Sequence, residues 1–368
     1  MSGYVPDAND ATKPTDANIA ETAAAEFRAL KAKVNTISSG ALQGSGLQNI
    51  LLNGDFQLNQ INGSNFVSRP TAGGPEYFSD MWNTSSGAMG LNILGMATVV
   101  ETTPGFSPPP NYNTYQSCQV LTSIGTLAPN AFFEICQYVE GTNMRHMGFG
   151  TGAARASTIL FYARTTVAGQ VMAGTLRNAA NNRSYVFSFT TGAVNVWTRY
   201  AISVPGDTVG GTTAWPGGPV ESAQITFTLA SDTVYKAIPG AWRAGNFIGT
   251  TTPNNVNFFA NPAGSIFEFT GVEWRPGTYS VGNPVEIIPY QLMFSLVARY
   301  YFQDNMFLLG SNAVTSVSLP AIMRKLPVFS SSLPAAVLVG ESLFSAQVQN
   351  TGANSGALVK FDARLEVT

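Results

Sequence analysis

Between Asn49 and about Ile288 the chain is written in short runs that alternate apolar with polar or small residues, among them ILLNGDFQLNQ, STILFYART, SYVFSFTT, WTRYAISVP, AQITFTLA, VNFFA and SIFEFTGVEW. A period of two sends successive side chains to opposite faces of a strand, so each run buries one face and shows the other to water. Clusters of Gly, Pro and Asn separate the runs: GGP at 73–75, PPPN at 108–111, GGTTAWPGGP at 210–219 and TTPNN at 251–255. These residues favour tight turns. Many short strands punctuated in this way predict a mainly β protein, with an antiparallel jelly-roll β-sandwich over residues 49–288. Composition agrees: charged residues are only 11% of the chain, against roughly 25% in typical soluble proteins. Its surface must be covered by Ser, Thr, Asn, Gln and Gly, which suits an exposed appendage and argues against a helical enzyme.

The N-terminal segment follows other rules. Residues 1–15 are polar and contain Pro, an arm with no means of folding alone. Residues 16–41 are rich in Ala, Glu, Lys and Leu and close on Ser-Ser-Gly, which predicts a helix. Asn18 with Glu21 resembles a capping box, and Asp16 could cap as well. Apolar residues recur at Ala20, Ala23, Phe27, Leu30, Val34, Ile37 and Ala41, a three-four alternation that forms one narrow seam. In that register Glu26 and Lys31 occupy the g and following e positions that pair between parallel strands. Two readings remain: an amphipathic helix packed on its own domain, or a coiled-coil stalk. The narrow seam, the bulk of Phe27 and the polar linker at 42–48 favour a parallel homotrimer. A helix of about 24 residues would span about 36 Å.

After the sandwich, YQLMFSLVARYYF predicts a connecting helix over 289–302, and the strand-like runs LPAIMRKLPVF, AAVLV and ALVKFDARLEV predict a small C-terminal β knob over 303–368. The two cysteines, Cys118 and Cys136, lie in apolar strand-like runs and read as buried free thiols rather than a disulfide. A formal charge of -2 offers no field to gather nucleic acid or anionic lipid. No run reaches the length of a membrane span, and the N-terminus lacks the pattern of a secretory signal, so synthesis and folding in cytoplasm are expected.

Catalytic chemistry has few candidates. Glycan hydrolysis needs two carboxylates converging in a cleft. Asp55 and Asp80 read as structural, and Glu268 and Glu273, five residues apart on one strand, are expected on opposite faces. His146 is the single histidine, which leaves no relay and no His-based metal cluster. Gly148, Gly150 and Ala153 satisfy a dinucleotide fingerprint by letter, but no strand precedes them. No catalytic residue, metal site or cofactor is therefore assigned, and no dense Asp cluster marks a structural Ca²⁺. Sugar binding would use exposed aromatic faces bordered by amides and acids. Tyr112 and Tyr115 in PPPNYNTYQ and Trp215 in GGTTAWPGGP are the candidates, with core or loop-pinning roles as the plainer alternative for each.

Several segments, in order, resemble a family of bacteriophage tail-fibre and related virion proteins built on a carbohydrate-binding-like jelly roll. NILLNGDFQLNQ followed by YFSDMW is similar to that family's opening, carried here by Asn53, Gly54, Asp55, Phe56, Gln60, Asp80 and Trp82. ICQYVEG, RNAANNRSYVFSFTT, WTRYAISVPGDT and LASDTVY follow the order of its strands, and LPAIMRKLPVF resembles the opening of its C-terminal knob. FEFTGVEWRPG and LVARYY depart from the pattern: Arg275 stands where Glu is usual, and Val297 and Ala298 where Cys and Gln are usual. The contact made by that Glu is not carried over. The resemblance implies a homotrimeric structural subunit of a phage tail fibre, made in the bacterial host and located in the virion. Its N-terminal residues 1–41 would dock on other virion proteins, and its β domains would attach to a bacterial surface glycan. A head fibre or capsid decoration, and a glycan-depolymerising tailspike, are the alternatives.

Overall fold

The computed structural model describes residues 47–70, 75–100, 109, 111–308, 310, 312–343 and 345–364. The arm at 1–15, the helix at 16–41 with its seam (Ala20, Ala23, Phe27, Leu30, Val34, Ile37, Glu26 and Lys31) and all but the end of the linker lie outside the described residues.

The sandwich strands are, in chain order, β1 (Val67–Arg69), β2 (Glu76–Ser79), β3 (Trp82–Gly87), β4 (Leu94–Val100), β5 (Thr114–Val120), β6 (Phe132–Glu140), β7 (Ser157–Thr165) and β8 (Val171–Asn178). They continue as β9 (Arg183–Thr190), β10 (Thr198–Val204), β11 (Glu221–Ser231), β12 (Lys236–Ala237), β13 (Trp242–Ala244), β14 (Gly249–Thr250) and β15 (Ile266–Pro276). A six-stranded sheet runs β1-β4-β5-β15-β7-β10 and a seven-stranded sheet β13-β9-β8-β11-β6-β3-β2. All their pairings are antiparallel. The inner faces meet in an aromatic core: Phe227 of β11 lies 5.0 Å from Phe161 of β7 and 5.3 Å from Phe269 of β15, ring centre to ring centre.

Two of the expected strands take other forms. ILLNGDFQLNQ is an irregular crossing, because Asn53 (φ 52°) and Phe56 (φ 58°) adopt left-handed backbone that ends a β run. Apolar periodicity survives there because Leu51, Phe56 and Leu58 are buried. The Asn53 side chain pins the crossing, donating to the Leu58 and Asp80 carbonyls and accepting from the Leu58 N–H. Phe56 then packs against Trp82 and Phe269 at 5.5 and 5.1 Å, and the Trp82 indole donates to the Asn53 carbonyl at 3.0 Å. VNFFA likewise forms a short turn of helix, Phe258–Ala260, rather than a strand. Both cysteines are buried and free.

A helix, α1 (Tyr290–Ala298), leads to the C-terminal strands β16 (Tyr301–Leu308), β17 (Ala313–Ser318), β18 (Val328–Ser331), β19 (Ala336–Glu341), β20 (Ser345–Asn350) and β21 (Ser355–Asp362). The helix is shorter than expected because Tyr301 already pairs with Asp362 in a sheet. Only the end of LPAIMRKLPVF is strand, since Pro320 and Pro327 have no N–H for a ladder. Two three-stranded sheets, β16-β21-β18 and β17-β20-β19, enclose a core that includes Leu308, Met323, Val348, Val359 and Phe361. This knob belongs to the same compact unit as the sandwich, Asn49–Thr368. Polar contacts join them: Tyr300 Oη donates to Glu140 at 2.6 Å, and Gln303 of β16 bonds to Gln60, which in turn caps Asp80.

Candidate functional site

The outward face of the six-stranded sheet follows from strand register. In β15, Phe267 and Phe269 point into the core, so Glu268 points out, opposite Arg164 of β7. Between Thr270 and Glu273 the register shifts by a bulge that contains Gly271 at φ 62°. The extra residue restores Glu273 to the outer face, opposite Leu160, with Arg275 two residues on. Glu268 and Glu273 therefore share one face, correcting the expectation from spacing alone. Their partners on β7 are four residues apart, so the two carboxylates are separated by about 13 Å along the strand, beyond the roughly 5–9.5 Å used by glycoside hydrolases.

Aromatic rings and guanidinium groups cover this face. Arg164 bonds Glu268 and lies over the rings of Trp197 (5.0 Å) and Tyr115 (5.7 Å), which are themselves 5.4 Å apart. One row along, Arg199 of β10 sits opposite Tyr162 and 5.4 Å from its ring, and Tyr162 meets Tyr112 edge to face at 5.9 Å. Arg275 pairs with Glu273 at 3.0 Å and stacks on Tyr279 at 4.2 Å. These cation–ring contacts steady the guanidinium groups along one surface. Trp197, Tyr162, Arg164 and Arg199 are half-buried, so their outer parts reach solvent.

At one end the band meets a cleft of about 240 Å³, measured to its open mouth and lined by Asp55, Tyr112, Glu273 and Glu286 together with Gly54 and Gly271. Most of that volume is open solvent, and the enclosed part has room for about one water, so the cleft could receive a single hydroxyl but no sugar ring. Tyr112 Oη is 3.5 Å from Glu273 Oε1, which also accepts the Glu286 N–H at 3.1 Å. Burial pushes the Asp55 and Glu273 carboxyls above their ordinary range, and burial beside Glu273 and Asp55 pushes the Tyr112 phenol up. Asp55 Oδ1 is buried with no hydrogen-bond partner among the described residues. No group of three or more His, Cys, Asp and Glu among the described residues could hold a metal ion.

No protein-family model matches this chain, and no curated protein does. Similarity to solved structures is weak. The enzymatically active domain of bacteriophage CBA120 tailspike protein 4 is 14% identical over 62% of this chain, which spans 21% of that one, with a TM-score of 0.32. TmCBM61, solved with β-1,4-galactotriose, is 12% identical over 63% of this chain and all of its own (100%), with a TM-score of 0.31. The family 11 carbohydrate-binding module of Clostridium thermocellum Lic26A-Cel5E is 13% identical over 56% of this chain and 97% of its own, with a TM-score of 0.27. Values this low carry no argument about ligand, and the sandwich rests on its own strand pairings.

Of the aromatic residues singled out from sequence, Tyr112 and Tyr115 fall on the outer face of the six-stranded sheet and Trp215 does not. All three are buried, at 7%, 4% and 4% exposure, which corrects the expectation of exposed loop aromatics. Tyr115 lies within β5, flanked by Trp197 and Arg164, and Tyr112 stands against Gly271. Trp215 is folded into an end of the sandwich, 5.0 Å from Phe149 and 5.4 Å from Trp242, with its indole donating to Asp207. Asp80 is fully buried and accepts the Gln60 N–H, a structural role. The opposite sheet carries a buried network on its outer face: Arg177 bonds both oxygens of Glu134 at 2.7 and 2.8 Å, Gln224 at 2.9 Å and Asn246 at 2.7 Å. Gly245 and Ile248 lie over it, bonded to Ser184 and Thr228. Sequence reasoning missed Tyr162, Arg164, Trp197 and Arg199. Their signal was present as an aromatic-x-Arg pair on the water-facing parity of two strands that pair with each other.

Proposed function

We propose that this chain is a structural, non-catalytic subunit of a bacteriophage tail fibre, anchored through its N-terminal segment and holding a bacterial surface glycan on the outer face of the six-stranded sheet. The observation that carries the glycan reading is the band in which half-buried Trp197 and Tyr162, backed by the buried rings of Tyr115 and Tyr112, are interleaved with Arg164 and Arg199. Sugar rings present C–H faces that stack on aromatic rings, and their hydroxyls need bordering donors and acceptors. Placement in the virion, docking through residues 1–41 and the homotrimer rest on the resemblance and on the heptad seam. Three weak sites on a trimer would act through avidity. The non-catalytic reading is supported by Glu268 and Glu273, each paired with an arginine and too far apart to work on one bond, and by the cleft at Asp55, Glu273 and Glu286, whose enclosed space is too small to admit a glycosidic bond between them.

An array of bacterial surface glycans tests this reading. Binding to a subset of them, with no oligosaccharide released on prolonged incubation, is the expected result. Steady release would establish a depolymerase, and failure to bind any glycan would remove the adhesive role.

A further inference from the structure

We infer that this face selects an acidic sugar, with the carboxylate of a uronic or related acid taken by Arg199 and Trp197. The inference rests on the glycan reading above and names the class of glycan. Trp197 and Arg199 are two residues apart at the start of β10 and both project to the outer face, Trp197 against Tyr115 and Arg164, Arg199 against Tyr162. Each carries a donor without an acceptor: the Trp197 indole Nε1 and the Arg199 Nη2 are buried with no hydrogen-bond partner among the described residues. Arg199 is otherwise fixed, its Nη1 donating to the Val281 and Asn283 carbonyls. The planar group is thus held in place before any ligand arrives.

Acceptors on the same face are already engaged. Glu268 is bonded to Arg164, and Glu273 holds Arg275 and the Glu286 N–H. The two donors lie just under the surface of side chains that are themselves half exposed, so a ligand group that displaces their cover meets two unused donors and few unused acceptors, which favours a group that only accepts. A carboxylate has two acceptor oxygens in a plane, matching a guanidinium edge, and bonds to an ionised group are stronger than neutral ones. At the cleft end the polarity reverses, since the unpartnered Asp55 Oδ1 would accept from a sugar hydroxyl. The face would bind its glycan in one direction, hydroxyls toward Asp55 and the carboxylate toward Arg199.

The test uses the full chain on an array containing uronic-acid, phosphate-bearing and neutral bacterial polysaccharides, followed by titration of the best acidic ligand before and after chemical reduction of its carboxyls. Acidic glycans should dominate, and reduction should weaken binding at least tenfold. Trp197→Phe keeps an aromatic face and removes the donor; Arg199→Lys keeps the charge and removes the fork. Each should lower affinity for the acidic ligand severalfold, and by a clearly larger factor than for the reduced ligand. Equal binding before and after reduction, or a preference for neutral or phosphate-bearing glycans, overturns the carboxylate assignment while the glycan reading stands. No binding to any member overturns both.

Discussion

Gly271 shows how one residue shapes the candidate site. It sits at φ 62°, and a Cβ there would lie 2.6 Å from the Tyr112 ring. Gly271→Ala would add backbone strain to that clash, and a loss of about 1–3 kcal/mol is expected in denaturant unfolding. Asp80 offers a pH-dependent prediction. Burial raises its carboxyl from the ordinary 3.8 to about 6, against the lowering effect of the Gln60 hydrogen bonds and Arg364. Between those values the folded state binds the proton more tightly than the unfolded chain. Stability from this group is therefore full below about pH 4 and lost as pH rises through 6, by about 3 kcal/mol. Stability curves of the native chain and Asp80→Asn should converge or cross between pH 4 and 7, the native chain losing more; parallel curves would contradict the assignment. The letters Asn53, Asp80 and Trp82 were legible in the sequence as an opening motif. Their work, tying an irregular crossing to the core, was not, because it depends on hydrogen bonds between residues up to 29 positions apart.

Among the elements, β7, β9, β10, β11 and β15 could be read from period two because each has one apolar and one polar face along most of its length. The opening run could not, since burial preserves apolar spacing even where left-handed residues break the strand. Parity failed in β15 for a similar reason: a bulge inserts a residue without marking the alternation, so Glu273 moves to the face of Glu268. The buried Arg177–Glu134 network on the other sheet gives a contrasting prediction. Arg177 and Glu134 are 3% and 4% exposed, and Glu134→Gln leaves a buried guanidinium short of its counter-charge, with an expected cost of about 3–5 kcal/mol. Thermal and denaturant unfolding would register that loss, while glycan binding on the far sheet should persist in the folded fraction.

For the whole molecule, the seam from Ala20 to Ile37 is the proposed oligomerisation device, with Glu26 and Lys31 setting the register. Sedimentation equilibrium should find a trimer for the full chain and a monomer when residues 1–41 are removed; a truncated trimer would move the interface to the β domains. The knob need not fold separately, since Glu140, Gln60 and Asp80 tie it to the sandwich. If the aromatic-arginine face of the six-stranded sheet holds a glycan, Trp197→Ala should weaken the best array ligand at least tenfold in titration, with the melting transition still cooperative. An unchanged affinity in that variant would remove the glycan from this face.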